Sequence, residues 1–347
     1  MKAIGLYLLV AVIPTLCPRP YTLYAAEYLN VNAQFKPDQV AYCDQKTNTW
    51  NISIVDRTYL STKWFPICVD ETKEELCTPK TNTTFFFAYS NDIEPAGVQE
   101  MVEDMDILQI DTFQSPQFTS LANIRFDVLQ DETIEYHKNY KEWQTAITSK
   151  LPEPSLGFTS TETGSDVLKV ISKFIKNTQV PICGSRIFIL LKRFPNEEDI
   201  TELVAQMKKY RVYVFIVGSL PSSGGSHPET IRRLTTQTNG WDYYYEDSSF
   251  DSLTFLYSPF FYNYNLIYAA NVNLSPNGSI ALPKMTVPPH EEVGYVNYNN
   301  LVTKFRLLNC SVYDVQLDYE ISDDDIYAVQ IRIYTSGSDG YWISYDE

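Results

Sequence analysis

A chain of 347 residues with an aromatic share of 14% and 26 tyrosines has the length for two domains and core material for both, which excludes a disordered protein. Its formal charge of -16 repels polyphosphates, so nucleic acid and anionic membrane surfaces are excluded as partners. The acid excess reads first as solubility, then as room for a cationic ligand or a divalent ion.

The chain opens on Lys2 and an apolar run over residues 3–16 that ends near Cys17, the pattern of a signal peptide. The run is shorter than the about 20 residues of a membrane helix, contains Pro14 and is followed by Pro18 and Pro20, so a leader is expected rather than an anchor. Cleavage falls after Cys17 or, preferably, after the small pair Ala25 and Ala26, which sets the leader at 1–26. Its removal takes Lys2 and Arg19 with it and no acidic residue, moving the charge from -16 to -18. No later window reaches membrane-spanning length. Asn51, Asn82, Asn273, Asn277 and Asn309 each lie in an N-x-S/T sequon, and behind a leader these predict a secreted, extracellular glycoprotein.

Residues 27–83 mix polar stretches with short strand-like runs such as 50–55 and hold Cys43, Cys68 and Cys77, which reads as a small lead-in tied by disulfide. From residue 84 the pattern changes. An apolar strand over 85–89 meets the turn Ser90-Asn91-Asp92, and a helix is predicted over 95–105 with Pro95 in its first turn. A strand over 121–128 and a helix over 140–150 follow. After Gly164, Val167, Leu168, Val170, Ile171, Phe174 and Ile175 recur at helical spacing. Strands at 187–191, 212–217 and 241–245 alternate with helices at 197–209 and 228–238. Strands apolar on both faces, alternating with helices, require a parallel sheet covered by helices. Residues 84–256 are therefore read as one α/β domain. Residues 257–347 read as an all-β sandwich with strands at 267–274, 279–287, 303–308, 312–319 and 326–334, and Asn277-Gly278 as a hairpin between the first two.

The middle domain resembles the von Willebrand factor type A fold. Residues 85–92 look like that family's first strand running into its metal-binding turn, and 121–127 like its second strand. Thr161 with Gly164, Val167 and Leu168 looks like its threonine loop. Residues 186–194 resemble the strand that ends in Asp-Gly, and 209–218 its "basic residue, then V-x-V-F-x-V-G" strand. The arrangement of leader, degenerate A-type domain and sandwich, with the aromatic ending Asp339-Gly340-Tyr341-Trp342, also resembles a group of secreted nematode proteins. The resemblance implies a divalent cation at the strand carboxyl ends, held by an Asp-x-Ser-x-Ser turn, a threonine and a later aspartate. Here Ala88 stands at the first aspartate, Ser90 remains, Asp92 replaces a serine, Thr161 matches the threonine, and Lys192 or Arg193 stands at the later aspartate. A positive charge there opposes a cation. No metal and no cofactor are expected. Two readings stay open: Arg193 or Lys192 binds an acidic ligand group, with Ser90, Asp92 and Thr161 as neighbours, or the basic group is an internal ion pair with Asp92 or a solvated loop charge.

Catalytic alternatives find little support. His137, His227 and His290 stand in no catalytic or zinc spacing, and Cys183-Gly184-Ser185 lacks the residues that continue a cysteine-protease start. Ser222-Ser223-Gly224-Gly225-Ser226 lacks the lysine of a phosphate loop and reads as a flexible turn. Glu197-Glu198-Asp199 reads as helix capping and Asp323-Asp324-Asp325 as a solvated turn. In an A-type sheet the strand at 85–89 lies beside the strand at 186–191, so Cys77 and Cys183, each just before one of them, are expected to form a bridge. Cys43 with Cys68 is expected as a second, leaving Cys310 as a buried thiol or a dimer link. The chain is read as an extracellular binding or adhesion module that recognises a protein or glycan ligand. The alternatives are a matrix or surface-coat component assembling through the aromatic tail and, less favoured, a hydrolase.

Overall fold

The computed structural model describes residues 5–13, 39–44, 49–54, 77–112, 118–246, 265–274, 278–286, 293–298, 301–306, 312–320, 327–335, 342, 343 and 345. The expectations placed on Cys17, the Cys43 to Cys68 bridge, Cys310, Asn277, Asn309, His290, the Asp323 to Asp325 turn and residues 339–341 lie outside the described residues. The chain divides into two compact units, Pro18–Leu76 and the remainder.

The first nine described residues form strand β1 (Gly5–Ile13). Within Pro18–Leu76, β2 (Gln39–Asp44) and β3 (Thr49–Ile54) pair as an antiparallel hairpin from Gln39↔Ile54 to Asp44↔Thr49. The strand-like run expected at 50–55 lies in this hairpin.

The larger unit begins its α/β layer with β4 (Thr83–Ser90), α1 (Pro95–Thr112), β5 (Phe118–Phe126) and β6 (Glu135–His137). It continues with α2 (Tyr140–Thr148), α3 (Val167–Ile175), β7 (Arg186–Leu191) and α4 (Thr201–Lys209). It ends with β8 (Tyr213–Leu220), α5 (Pro228–Gln237) and β9 (Trp241–Glu246). The strand order is β6-β5-β4-β7-β8-β9, parallel throughout except for β6, which runs antiparallel to β5. β4 sorts its side chains by the strand period of two. Phe85, Phe87 and Tyr89 pack with Val98 and Met101 of α1 and Trp143 of α2, whereas Phe86 and Ala88 pack with Ile171 and Phe174 of α3 and Val204 of α4. Burial on both faces is why β4, β7 and β8 read as unbroken apolar runs.

β4 pairs in parallel with β7, Phe85 opposite Arg186, as the resemblance implies. The bridge expected from that pairing is present, Cys77 to Cys183 with Cα atoms 5.3 Å apart. Several details of the α/β layer differ from the sequence reading, among them the end of α1, at Thr112 instead of 105. α4 starts at Thr201, with Asp199 Oδ1 accepting from Thr201 N at 3.0 Å, so Glu197 and Glu198 precede the helix instead of opening it. β6 was not anticipated, because three residues are too few for a period to show. The 222–226 turn is packed, as described below.

The C-terminal strands are β10 (Asn265–Leu274), β11 (Gly278–Thr286), β12 (Val293–Tyr298), β13 (Leu301–Arg306), β14 (Val312–Glu320) and β15 (Tyr327–Thr335). They form two antiparallel sheets, β1-β14-β11 and β10-β15-β12-β13. Ile267 and Leu274 of β10, Leu282 and Met285 of β11, Val315 and Leu317 of β14, and Val329, Ile331 and Ile333 of β15 form the core between them. The hairpin expected at Asn277-Gly278 is overturned: β10 pairs with β15 and β11 with β14, so this connection passes between sheets. Both strands carry core residues, and facing sheets bury them better than a hairpin whose partners share one sheet. β12 was missed, its alternation being short and preceded by Pro288 and Pro289.

The outer face of β15 is polar and buried against the α/β layer. Arg332, 0% exposed, donates from Nε to the carbonyls of Asn239 and Gly240 at 3.1 and 2.9 Å, from Nη1 to those of Ala270 and Ile331, and from Nη2 to Asn271 Oδ1. Gln330 accepts from Asp242 N at 3.1 Å and donates to Thr235 Oγ1 at 3.0 Å, and Thr235 in turn donates to Asp242 Oδ1. Near the chain's end, Arg211 donates to the Ile343 carbonyl at 2.9 Å, its guanidinium 4.7 Å from the Tyr345 ring and 5.8 Å from that of Trp342. Asn82 and Asn273 are exposed.

Candidate functional site

The chain leaves β4 toward α1 on one face of the sheet and leaves β7 toward α4 on the other. The carboxyl ends of these neighbouring strands therefore bound a crevice, the place where open parallel sheets bind ligands. The turn after β4 is fixed from below. Asn91, 2% exposed, donates from N to the Phe126 carbonyl at 2.8 Å, and its side-chain amide exchanges two bonds with the Glu153 backbone, each 2.9 Å.

Arg193 projects from the end of β7 into the crevice and is 2% exposed. Its Nε and Nη2 each lie 2.9 Å from Asp92 Oδ2, and Nη1 donates to the carbonyls of Ser160 and Thr163 at 2.7 Å. Nη2 also reaches the Phe158 carbonyl at 3.4 Å, with the Phe158 ring 5.6 Å away. The fork of donors is thus spent on one carboxylate and three carbonyls, the satisfaction a buried guanidinium requires. The 222–226 segment lies over it. Ser223 N donates to the Lys192 carbonyl and Phe194 N to the Gly224 carbonyl, both at 2.9 Å, while Ser223 Oγ donates to Asp92 Oδ2. Its two glycines are steric requirements: a Cβ on Gly224 would strike Arg193 Nη1, and Gly225, at φ +80°, faces the Phe194 carbonyl.

A second carboxylate sits deeper. Asp127, 0% exposed and at φ 61°, follows the end of β5. Its Oδ2 accepts from Ser90 Oγ at 2.6 Å, and its Oδ1 accepts from Ser165 Oγ and Asp166 N at 2.8 Å. Burial outweighs these three bonds, which favour the anion, and pushes the carboxyl up to about 7, with the Asp92 charge adding slightly.

Of the residues singled out in the sequence, Ser90, Asp92 and Arg193 converge. Thr161 joins through its carbonyl, which accepts from Gly225 N at 2.9 Å. Lys192 turns aside, with Nζ 3.0 Å from Ser219 Oγ. Of the two basic candidates it is Arg193 that enters the crevice, in the internal ion pair with Asp92. Asp127, Ser165, Ser223, Gly224 and Gly225 were not recognised as parts of this constellation. The signal for Asp127 was an acid at the end of an alternating strand whose last residue lies level with Ser90.

The position does not fit the cation that the resemblance implies. A hard dication needs several oxygens, some ionised. Ala88 offers none, Ser90 Oγ is turned to Asp127, and Asp92 Oδ2 is held by Arg193 and Ser223. Among the described residues, no cluster of three or more His, Cys, Asp or Glu side chains is placed to hold a metal.

No family model matches the chain, and no curated protein sequence matches it. Among solved structures, it is similar to the human COPII-coat protein Sec24c, at 11% identity and TM-score 0.37, over 74% of this chain and 43% of that one. It is similar to proximal thread matrix protein 1 from the mussel byssus, at 12% identity and TM-score 0.38, over 56% and 50%. It is also similar to the VWA domain of SpRpn10, at 12% identity and TM-score 0.35, over 52% of this chain and 97% of that one. The chain spans half or less of the first two structures' own length. The description as a VWA-like α/β layer with a mostly parallel sheet rests on the strand order and pairings given above.

Proposed function

We propose that the chain is a secreted extracellular binding module of the adhesion type, which recognises a protein or glycan by its surface, without a divalent cation and without catalysis. The observation that supports this reading is the Arg193 guanidinium at the crevice, neutralised by Asp92 and closed over by the 222–226 segment. A partner then meets the exposed rim of the crevice, Ser160, Thr161, Glu162 and Thr163, with half-buried Lys192 beside it. A coat component assembling through the aromatic tail ranks second, because Trp342 and Tyr345 stack against Arg211 of their own chain and assembly through them must break those contacts.

Calorimetric titration of the secreted protein with Mg²⁺, Mn²⁺ and Ca²⁺, beside Arg193→Asp, tests the metal-free reading. Wild type is expected to bind no ion. The variant, with two acids facing each other, is expected to gain ion binding and an ion-dependent rise in Tm. Tight binding by wild type refutes the reading and makes cation-dependent adhesion the function to pursue.

A further inference from the structure

β14 is a strand acceptor whose occupant in this structure is the leader. β1 lies along it in antiparallel register over nine pairs, from Gly5↔Glu320 to Ile13↔Val312, while β11 fills the other edge. We infer that in the secreted protein the vacated edge of β14 binds an extended segment of a partner protein in which apolar and basic residues alternate. This rests on the reading of 1–26 as a removed leader.

The two faces of β14 define the partner's chemistry. Val315 and Leu317, each 2% exposed, belong to the sandwich core and Tyr319 packs against it, so an added strand must be apolar at the positions opposite these. The intervening residues form a polar, acidic row of Asp314, Gln316, Asp318 and Glu320. Lys284 pairs with Asp314 at 2.8 Å from the β11 side, whereas Asp318, among the described residues, is bonded by Ser279 and Gln316 and by no cation. In register the leader sets Ala11, Leu9 and Tyr7 opposite Asp314, Gln316 and Asp318, none of them a countercharge. Basic residues at those positions supply cross-strand ion pairs, and the strand adds its main-chain bonds to the open edge. A second copy of β14 is a poor occupant: antiparallel pairing centred on Gln316 sets Asp314 against Asp318, and like charges directly opposite destabilise a sheet. An edge left open is also the surface that native sheets protect from unwanted pairing.

The test uses the secreted full chain and two blocked nine-residue peptides, one alternating lysine and valine, the other glutamate and valine. Mass spectrometry of the protein's N-terminus comes first: a chain still starting at Met1 refutes the leader reading, and the vacated edge with it. With a start at Glu27, the lysine peptide is expected to bind about tenfold or more tightly than the glutamate peptide and to slow amide exchange over 312–320. Asp314→Lys with Asp318→Lys should reverse that preference while leaving the chain strongly acidic. A correct N-terminus with no peptide binding refutes this inference alone. So does a lysine preference that survives the double variant, which marks attraction to a generally acidic surface, or a dimer that already protects 312–320.

Discussion

Replacing Asp127 by Asn isolates the energetics of the buried carboxyl beneath the crevice. Its folded-state value of about 7 lies above the ordinary 3.8, so the folded protein holds this proton more tightly than the unfolded chain does. That contribution is complete below pH about 4 and is lost as pH rises through about 7. At about 1.36 kcal/mol for each pH unit, the interval gives about 4 kcal/mol across the whole window, and about 2.5 kcal/mol between pH 5 and pH 8. Asn imitates the protonated acid: Oδ1 still accepts from Ser165 and Asp166, and the amide donates toward Ser90. Urea unfolding at pH 5 and pH 8 should show wild type gaining about 2.5 kcal/mol relative to Asp127→Asn at the lower pH. Taking the difference between the two proteins removes the other carboxylates. Parallel stability profiles would falsify the claim that burial governs this group.

Two further substitutions address the frame around the site. Arg332→Met strands the carbonyls of Asn239, Gly240 and Ala270 at the contact between β15 and the α/β layer, and should cost about 3 kcal/mol in chemical denaturation. Replacing Cys77 and Cys183 together by Ser opens a link across 106 residues, which should cost about 4 kcal/mol and lower the thermal midpoint while the far-ultraviolet dichroism of the folded protein is kept.

The α/β layer was legible because its strands are buried on both faces and its helices on one. The run at 85–89 and the α3 sequence each carry a period that only one environment explains. The Cys77 to Cys183 bridge was legible only through the resemblance, whose strand order brings these two chain entries together. The sandwich was legible as strands but not as pairings: Asn277-Gly278 permits a tight hairpin, and the choice of partner is made by distant strands, β14 and β15, that compete for β11 and β10. Local signals do not contain that competition. The role of Arg332 was hidden for a related reason. A charge in an alternating strand reads as solvent-facing until a second layer covers it, and here the covering carbonyls lie more than ninety residues earlier.

At the crevice the substitutions work as a set. With Ala88 at the first aspartate position, a cation would lose a principal ligand, and a lone basic residue added opposite would be a buried charge without a partner. Asp92 supplies that partner at 2.9 Å, the carbonyls of 160 and 163 take the remaining Nη1 donors, and glycines at 224 and 225 let the backbone close over the guanidinium. Breaking such a buried pair from either side costs about 3–5 kcal/mol, because the surviving charge is left uncompensated. Asp127 completes the balance. While it carries its proton, it adds no charge beneath the neutral ion pair of Asp92 and Arg193. When it ionises, the added negative charge is met by two hydroxyls and one N–H, with no cation bonded to it. On the reading proposed above, ionisation of Asp127 as pH rises through about 7 adds a negative charge beneath the crevice that the partner meets.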